Sequence, residues 1–429
     1  MDAVDATKPL YYEPWDPSCQ ENLFETYAAL HDRAPIYRAP SSGIWVVSSY
    51  DAVSFIMTRS DLFSNRPNQD ETIGFPPKVD PDSPESEQLI GRLLTAAADI
   101  PLNFQELFTA RVIVGADPPV HTRQRKLVSR GFTPRRIGAL RPMIEQTVAD
   151  KMTALDSRRH FDLVHELAGP VPTEVIANLL SVEPERYGDI RRWSDMLASL
   201  PMAKDRGSED SMVALVGMLR EFALFFVPKI EQRQAEPQDD LLTDLLLADG
   251  ADLMSTTELV LFILVLLAAG NETTTNVIGN TVVQLLESPD QLARLQADPS
   301  LVPAAIEESV RLQSPFQFLF REPVTDVELG GEKIAAGDTI AIMVGAANRD
   351  PHIFANPNEF DLTRQTPHLG FGRGIHFCLG APLARLEAHV ALDALQPNLR
   401  RYSVDTAGLQ RHPSLLIHGY TSIPINVTN

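Results

Sequence analysis

The run Phe371-Gly-Arg-Gly-Ile-His-Phe-Cys-Leu-Gly380, continued by Ala381-Pro-Leu-Ala-Arg-Leu-Glu387, decides how this chain reads. Gly372 and Gly374 let the backbone turn tightly and come close to a flat ligand. Cys378 then sits just ahead of a helix. Backbone N–H groups and the helix dipole there stabilise a thiolate, the form of cysteine that binds metal. Gly380 leaves room beneath a macrocycle, and His376 can reach a carboxylate at the edge of such a ligand. A glycine loop before a helix with a buried thiol would explain the glycines. It would not explain the whole constellation.

Composition sets the frame around this run. A chain of 429 residues with 44% hydrophobic content can bury a large core without staples. Its two cysteines, Cys19 and Cys378, are far apart and form no paired-cysteine metal pattern. A reducing compartment fits better than a disulfide framework, and we expect a cytoplasmic protein. Met1 to Pro17 carries acids and prolines but no apolar run, so neither a signal peptide nor a membrane anchor is expected. The longest greasy stretch, Leu259 to Ala269, is too short to span a bilayer and reads as a buried helix. The formal net charge of −20 argues against nucleic acid as a partner. Against that background, His121-Thr-Arg-Gln-Arg-Lys126 continues to Arg130, Arg135 and Arg136 without an acid. An ordinary solvated helix face is the plain reading of such a patch.

The body of the chain reads as helical, with short strands at Trp45 to Val47, at Val327 to Leu329, at Lys333-Ile334 and from Thr339 to Val344. Gly330-Gly331 and Gly337-Asp338 supply the turns between the later ones. The segment 66–101, rich in Pro, Asp, Glu and Ser, reads as a surface loop or as a lid over an active site. Ser255-Thr-Thr-Glu258 matches a capping box at the start of a long helix. That helix runs to about Leu286, roughly 45 Å, before Glu287-Ser-Pro289 stops it. In its middle lies Gly270-Asn-Glu-Thr-Thr-Thr275, polar and poor in helix propensity. Polar residues buried in mid-helix are costly unless satisfied, so this interruption is a functional candidate.

The cysteine run resembles the haem-binding loop of the cytochrome P450 superfamily, Phe-Gly-x-Gly-x-His-x-Cys-x-Gly, at every specified position. The resemblance covers most of the chain from about Trp45 onward. It implies a mainly α-helical P450 fold with small antiparallel sheets, as a single domain over 1–429 with a flexible segment at 1–20. It also implies haem b, its iron held by Cys378, with Gly380 and His376 beside it. Glu308-Ser-Val-Arg311 is similar to the family's buried acid–arginine pair, although Glu307–Arg311 would serve as an ordinary helix pair. A third arginine, which many relatives place before a phenylalanine, is here Glu359 ahead of Phe360, with Arg364 as its substitute. His121 and Arg125, one turn apart, resemble the propionate-binding helix, and Arg321 matches another propionate arginine. Ala269-Gly-Asn-Glu-Thr273 is similar to the oxygen-activation segment. There Gly270 leaves space for dioxygen, Thr273 can bond back to the Ala269 carbonyl, and Glu272 relays protons.

The implied function is insertion of one atom of O2 into a small hydrophobic substrate, terpenoid-, steroid- or aromatic-like. No flavin or pyridine-nucleotide fingerprint occurs, so electrons come from a separate ferredoxin-type protein. The basic patch, through Arg123, Lys126 and Arg130, is its candidate dock. Two alternatives stay open: a peroxide-driven peroxygenase, and a haem-thiolate binding or sensor protein without turnover. Pocket candidates are Val265 and Ala268 on the long helix, Phe318 and Leu319, and Leu416 and Ile417. Met196, Leu197, Leu200 and Met202 are candidates for a flexible roof.

Overall fold

The computed structural model describes residues 10–66, 84–199, 208–246 and 253–428. By packing, the chain divides into two compact units: 1–68, 137–172 and 273–429 form the first, 69–136 and 173–272 the second.

Every described strand belongs to the first unit. Its largest sheet has the order β1 (Ile36–Arg38), β2 (Trp45–Val47), β8 (Ile340–Ile342), β5 (Leu319–Pro323), β3 (Phe63–Ser64). Ile340, Ala341 and Ile342 are wholly buried, as a central strand covered on both faces requires. The sheets are small and antiparallel as expected, apart from β2 and β8, which run parallel. Such a pair joins segments almost three hundred residues apart, and nothing local in the sequence announces it. The expected hairpin is present: β6 (Val327–Leu329) pairs antiparallel with β7 (Glu332–Ile334). Gly330 and Gly331 have φ of 58° and 88° at its turn, values that strongly favour glycine. A further sheet joins β4 (His160–Asp162), β12 (Pro424–Val427) and β9 (Tyr402–Val404). Part of the amino-terminal segment is anchored to this unit. Tyr12 is fully buried, and Glu13 Oε1 accepts from Ser41 N at 2.5 Å.

The helices that matter for the site are α1 (Leu23–Arg33), α2 (Tyr50–Thr58), α3 (Pro84–Ala96), α4 (Val120–Val128), α5 (Glu209–Ala235), α6 (Thr256–Glu287), α7 (Val302–Leu312) and α8 (Ala381–Leu395). The supposed loop or lid at 66–101 contains α3. Arg92 of α3 pairs with Glu209 at 3.3 Å and with Asp210 at the start of α5. The reason lies in Leu89, Ile90, Leu93 and Leu94, whose helical spacing outweighs the polar composition around them. Residues 67–83 of that segment lie outside the described residues, as do Leu200 and Met202 of the proposed roof. Met196 and Leu197 sit near the end of the helix Tyr187–Ser199.

The capping box forms as its sequence predicts. Glu258 N donates to Ser255 Oγ at 3.1 Å, and Ser255 N donates to Glu258 Oε2 at 3.0 Å. By length and composition alone, α5 and α6 could each cross a membrane. The buried polar groups of α6 point to a protein core instead. Asn280 Nδ2 donates to the carbonyls of Gln313 and His418 at 3.2 and 3.1 Å, a satisfaction that lipid cannot offer.

Candidate active site

Cys378 stands at the end of a loop wedged between two helices. Gly374 has φ of +67°, and a Cβ there would lie 2.6 Å from the Met57 carbonyl oxygen of α2. A Cβ on Gly370 would lie 2.5 Å from Val310 Cγ1 of α7. Within the loop, Cys378 N donates to Phe371 O at 2.8 Å, and Gly372 N to Leu369 O at 2.8 Å. Asn348 ties it down further: its Oδ1 accepts from Leu369 N at 2.7 Å, and its Nδ2 donates to Ser314 Oγ at 2.8 Å. Helix α8 begins three residues after the cysteine.

The core beneath this loop is locked by charge. Glu308 Oε1 and Oε2 accept from Arg311 at 2.7 and 2.8 Å, and Arg311 is only 1% exposed. Arg364 Nε reaches Glu308 Oε1 at 3.0 Å and completes the triad. The side chain that sits before Phe360, Glu359, is not needed for this, since only its carbonyl accepts from Arg311. Glu307 takes no part. A buried acid shared by two guanidiniums survives because both its oxygens accept charge-assisted hydrogen bonds.

On α6 the polar interruption splits by face. Asn271 is buried and its Oδ1 accepts from Thr173 Oγ1 at 2.8 Å, a structural role. Thr274 and Thr275 are buried as well. Val265, Ala268, Ala269, Glu272 and Thr273 follow one another at helical spacing and form a partly exposed stripe, Leu261, Leu266 and Gly270 being only partly covered as well. A Cβ on Gly270 would meet only Ile176 Cδ1, at 3.8 Å, so space lies over it. His121 is buried on α4, and burial together with the charge of Arg125 lowers its pKa. An anion beside the two would offset both effects.

The sequence profile of the Cytochrome P450 family matches residues 196–423. Cytochrome P450 107B1 of Saccharopolyspora erythraea is 42% identical to this chain, over 81% of it and 85% of the relative. The 6-deoxyerythronolide B hydroxylase of the same organism is 36% identical over 94% of this chain and 96% of its own. The chain belongs to the cytochrome P450 family. Among solved P450 structures, CYP109E1 from Bacillus megaterium in complex with testosterone is similar with a TM-score of 0.79, at 29% identity. That likeness covers 95% of this chain and all (100%) of the other.

P450 enzymes are monooxygenases that bind haem iron through a cysteine thiolate, and the cysteine loop of this chain suits that group. A Cβ on Gly380 would meet nothing within 4 Å, and Ile375 and Phe377 are each 38% exposed beside the thiol. A flat apolar ligand would cover such a surface. Arg321 lies on β5, buried, opposite Ile340 of β8. Of the substrate candidates, Phe318 is fully buried, edge-on to Trp15 at 5.4 Å in a core cluster that Leu416 also joins. Leu319 packs against the other core cluster of this unit, and Ile417 is buried opposite Phe316. Within the basic patch, Arg123 donates to Glu258 Oε1 at 2.6 Å and to Leu253 O at 3.0 Å, and so braces the cap of α6. Lys126 and Arg130 are exposed.

The motif reading of this P450 passed over two neighbours of the cysteine on α8. Arg385 bonds Glu307. Glu387, one helical step further, is 3% exposed, and its Oε2 makes no hydrogen bond among the described residues. Burial raises its pKa from 4.5 to about 8. A carboxyl whose pKa is raised by folding favours the folded state at low pH, and that contribution is lost as pH climbs through 8. Glu387→Gln, which cannot ionise, should flatten the fall in unfolding free energy between about pH 4.5 and about 8. Denaturant titrations across that range check this, and an unchanged slope in the variant would assign it to other groups.

Proposed function

We propose that this P450 oxygenates an uncharged, largely apolar, ring-rich substrate of steroid or terpenoid type, with electrons from a separate acidic ferredoxin, in the cytoplasm. The observation that carries this reading is the open stripe of α6. Its members Val265, Ala268 and Ala269 are small and apolar, and Glu272 is its only charge. Such a surface offers no anchor for a fatty-acid carboxylate. The macrolide ring named for the hydroxylase and the testosterone bound in the solved structure above support a ring-rich apolar substrate. Screening steroids, terpenoids, 6-deoxyerythronolide B and long-chain fatty acids for the haem spin-state shift tests it. The ring compounds should shift the spectrum at micromolar concentration, and a response confined to the fatty acids would refute the assignment.

In this reading, haem, when bound, would supply an iron able to activate dioxygen, with a cysteine thiolate as its protein ligand. The chain's own residues do the rest. Cys378 would provide the thiolate, stabilised at the start of α8. His121, Arg125, Arg321 and His376 would hold the propionates. Ala269 and Gly270 would leave room for dioxygen, and Gly380 for the macrocycle. Thr273 and Glu272 hold and deliver protons from the open stripe of α6.

Lys126 and Arg130 dock the electron donor. Reversing both to Glu should slow reduction by an acidic ferredoxin on the order of tenfold at low ionic strength, with the difference shrinking as salt rises. Lys333→Glu, in the exposed β7, is the control. An equal loss there would reduce the patch to a solvated face. Arg123→Glu is excluded from this comparison because it removes the brace on Glu258.

A further inference from the structure

Arg385 lies just over one helical turn into α8, between the cysteine loop and α7. Its Nε and Nη2 donate to Glu307 Oε1 and Oε2 at 2.6 and 2.8 Å, a parallel fork that a guanidinium alone can make. Its guanidinium carbon lies 4.2 Å from the centre of the Phe371 ring. Phe371 in turn accepts the Cys378 N–H on its carbonyl at 2.8 Å. His368 fixes the far side of Glu307. Gly370 N donates to His368 Nδ1 at 3.0 Å, so the proton sits on Nε2, which donates to Glu307 Oε2 at 3.2 Å. Burial alone would raise the Glu307 pKa, but the bonds from Arg385 and His368 outweigh it and hold the carboxyl at about 2. Arg385 is raised by its bonds to Glu307 and, further down, by the charge of Cys378. The pair therefore stays ionised at working pH, with its cation the member that senses the sulfur.

We propose that Arg385, clamped by Glu307 and laid on Phe371, is a positioning residue that sets the electrostatic potential at the Cys378 sulfur and so the reduction potential of the bound iron. This rests on the reading that Cys378 ligates the haem. Reduction adds one negative charge to the site, so a fixed cation nearby favours the reduced form. Its carboxylate partner subtracts from that effect. Both side chains are partly exposed, which screens the interaction and limits its size.

The test is a reductive titration of the haem-loaded full chain in four forms: wild type, Arg385→Gln, Arg385→Lys and Glu307→Gln. Arg385→Gln should lower the midpoint potential, by on the order of tenfold in the oxidised-to-reduced ratio, or about 59 mV for one electron. Arg385→Lys keeps the charge and should stay near wild type. Glu307→Gln should move the potential upward. Opposite signs in the two glutamine variants are the signature of charge; a merely structural clamp would move both the same way or neither, and either result overturns the proposal. If Arg385→Gln fails to hold haem, an upward shift in Glu307→Gln beside an unmoved Arg385→Lys still decides it. The red-shifted band of the wild-type reduced carbon-monoxide complex is recorded first. Its absence would refute thiolate ligation itself, a failure distinct from unshifted potentials.

Discussion

Cys378→Ala should abolish the strongly red-shifted band of the reduced carbon-monoxide complex and all product formation, while Cys19→Ser leaves both intact. The two thiols differ in what surrounds them. Cys19 is 7% exposed in an apolar cluster with Tyr12, Leu23 and Tyr27, where burial raises its pKa and keeps it a small hydrophobe. Cys378 is half-buried on a glycine-built loop, ahead of a helix start, with open space at Gly380. Its substitution removes the sulfur without disturbing the Phe371 carbonyl bond, which uses the backbone. The variant should therefore fold. A red-shifted band that persists in Cys378→Ala would end the assignment, and difference spectroscopy on both variants measures it directly.

The second large effect concerns proton delivery. Thr273→Ala should still bind substrate and accept electrons. More of the oxygen consumed should then leave as peroxide and less should reach product. Glu272→Gln keeps the size of the side chain but removes its ionisation, and turnover should fall by about 10²-fold or more. General acid–base contributions run to about 10⁴-fold, and water entering the open stripe moderates the loss. If Thr273 served only to satisfy its hydroxyl within the helix, both variants would lose stability while product per electron held constant. Product, peroxide and reductant are quantified in one assay. Constant coupling in both variants would sink the relay, and peroxide-driven turnover that ignores both substitutions would favour a peroxygenase.

The cysteine loop was legible because its constraints are local. Glycine at positive φ and a thiol before a helix leave a fixed spacing in the chain, as does the four-residue capping box of α6. The polar interruption of α6 was legible as an anomaly, but not as a mixture. Which of its residues faces the core depends on Thr173, almost a hundred residues away, and only the fold brings Thr173 Oγ1 to Asn271. The same limit explains Arg123. That a member of the basic run is paired with Glu258, far along the chain, cannot be read from the run itself. Helix α3 was lost for a different reason, since prolines and acids around Leu89 masked a short apolar period. The parallel β2–β8 pair and the Glu307–Arg385 fork are pure consequences of topology. Arg364 was recoverable as a substitute only because the triad's need for a second cation on Glu308 was already known.

The wedge around Gly370 and Gly374 bears on how this enzyme can change. Any side chain at either position collides with Val310 or with the Met57 carbonyl, so random diversity introduced across the loop is mostly wasted. The stripe from Val265 to Thr273 is different, because Val265 and Ala268 are only partly covered and have room to change. Selection for a new substrate would therefore accumulate its successful changes along one helix face and leave the metal-binding loop invariant. The chemistry is conserved by steric necessity, and specificity drifts where the packing is slack.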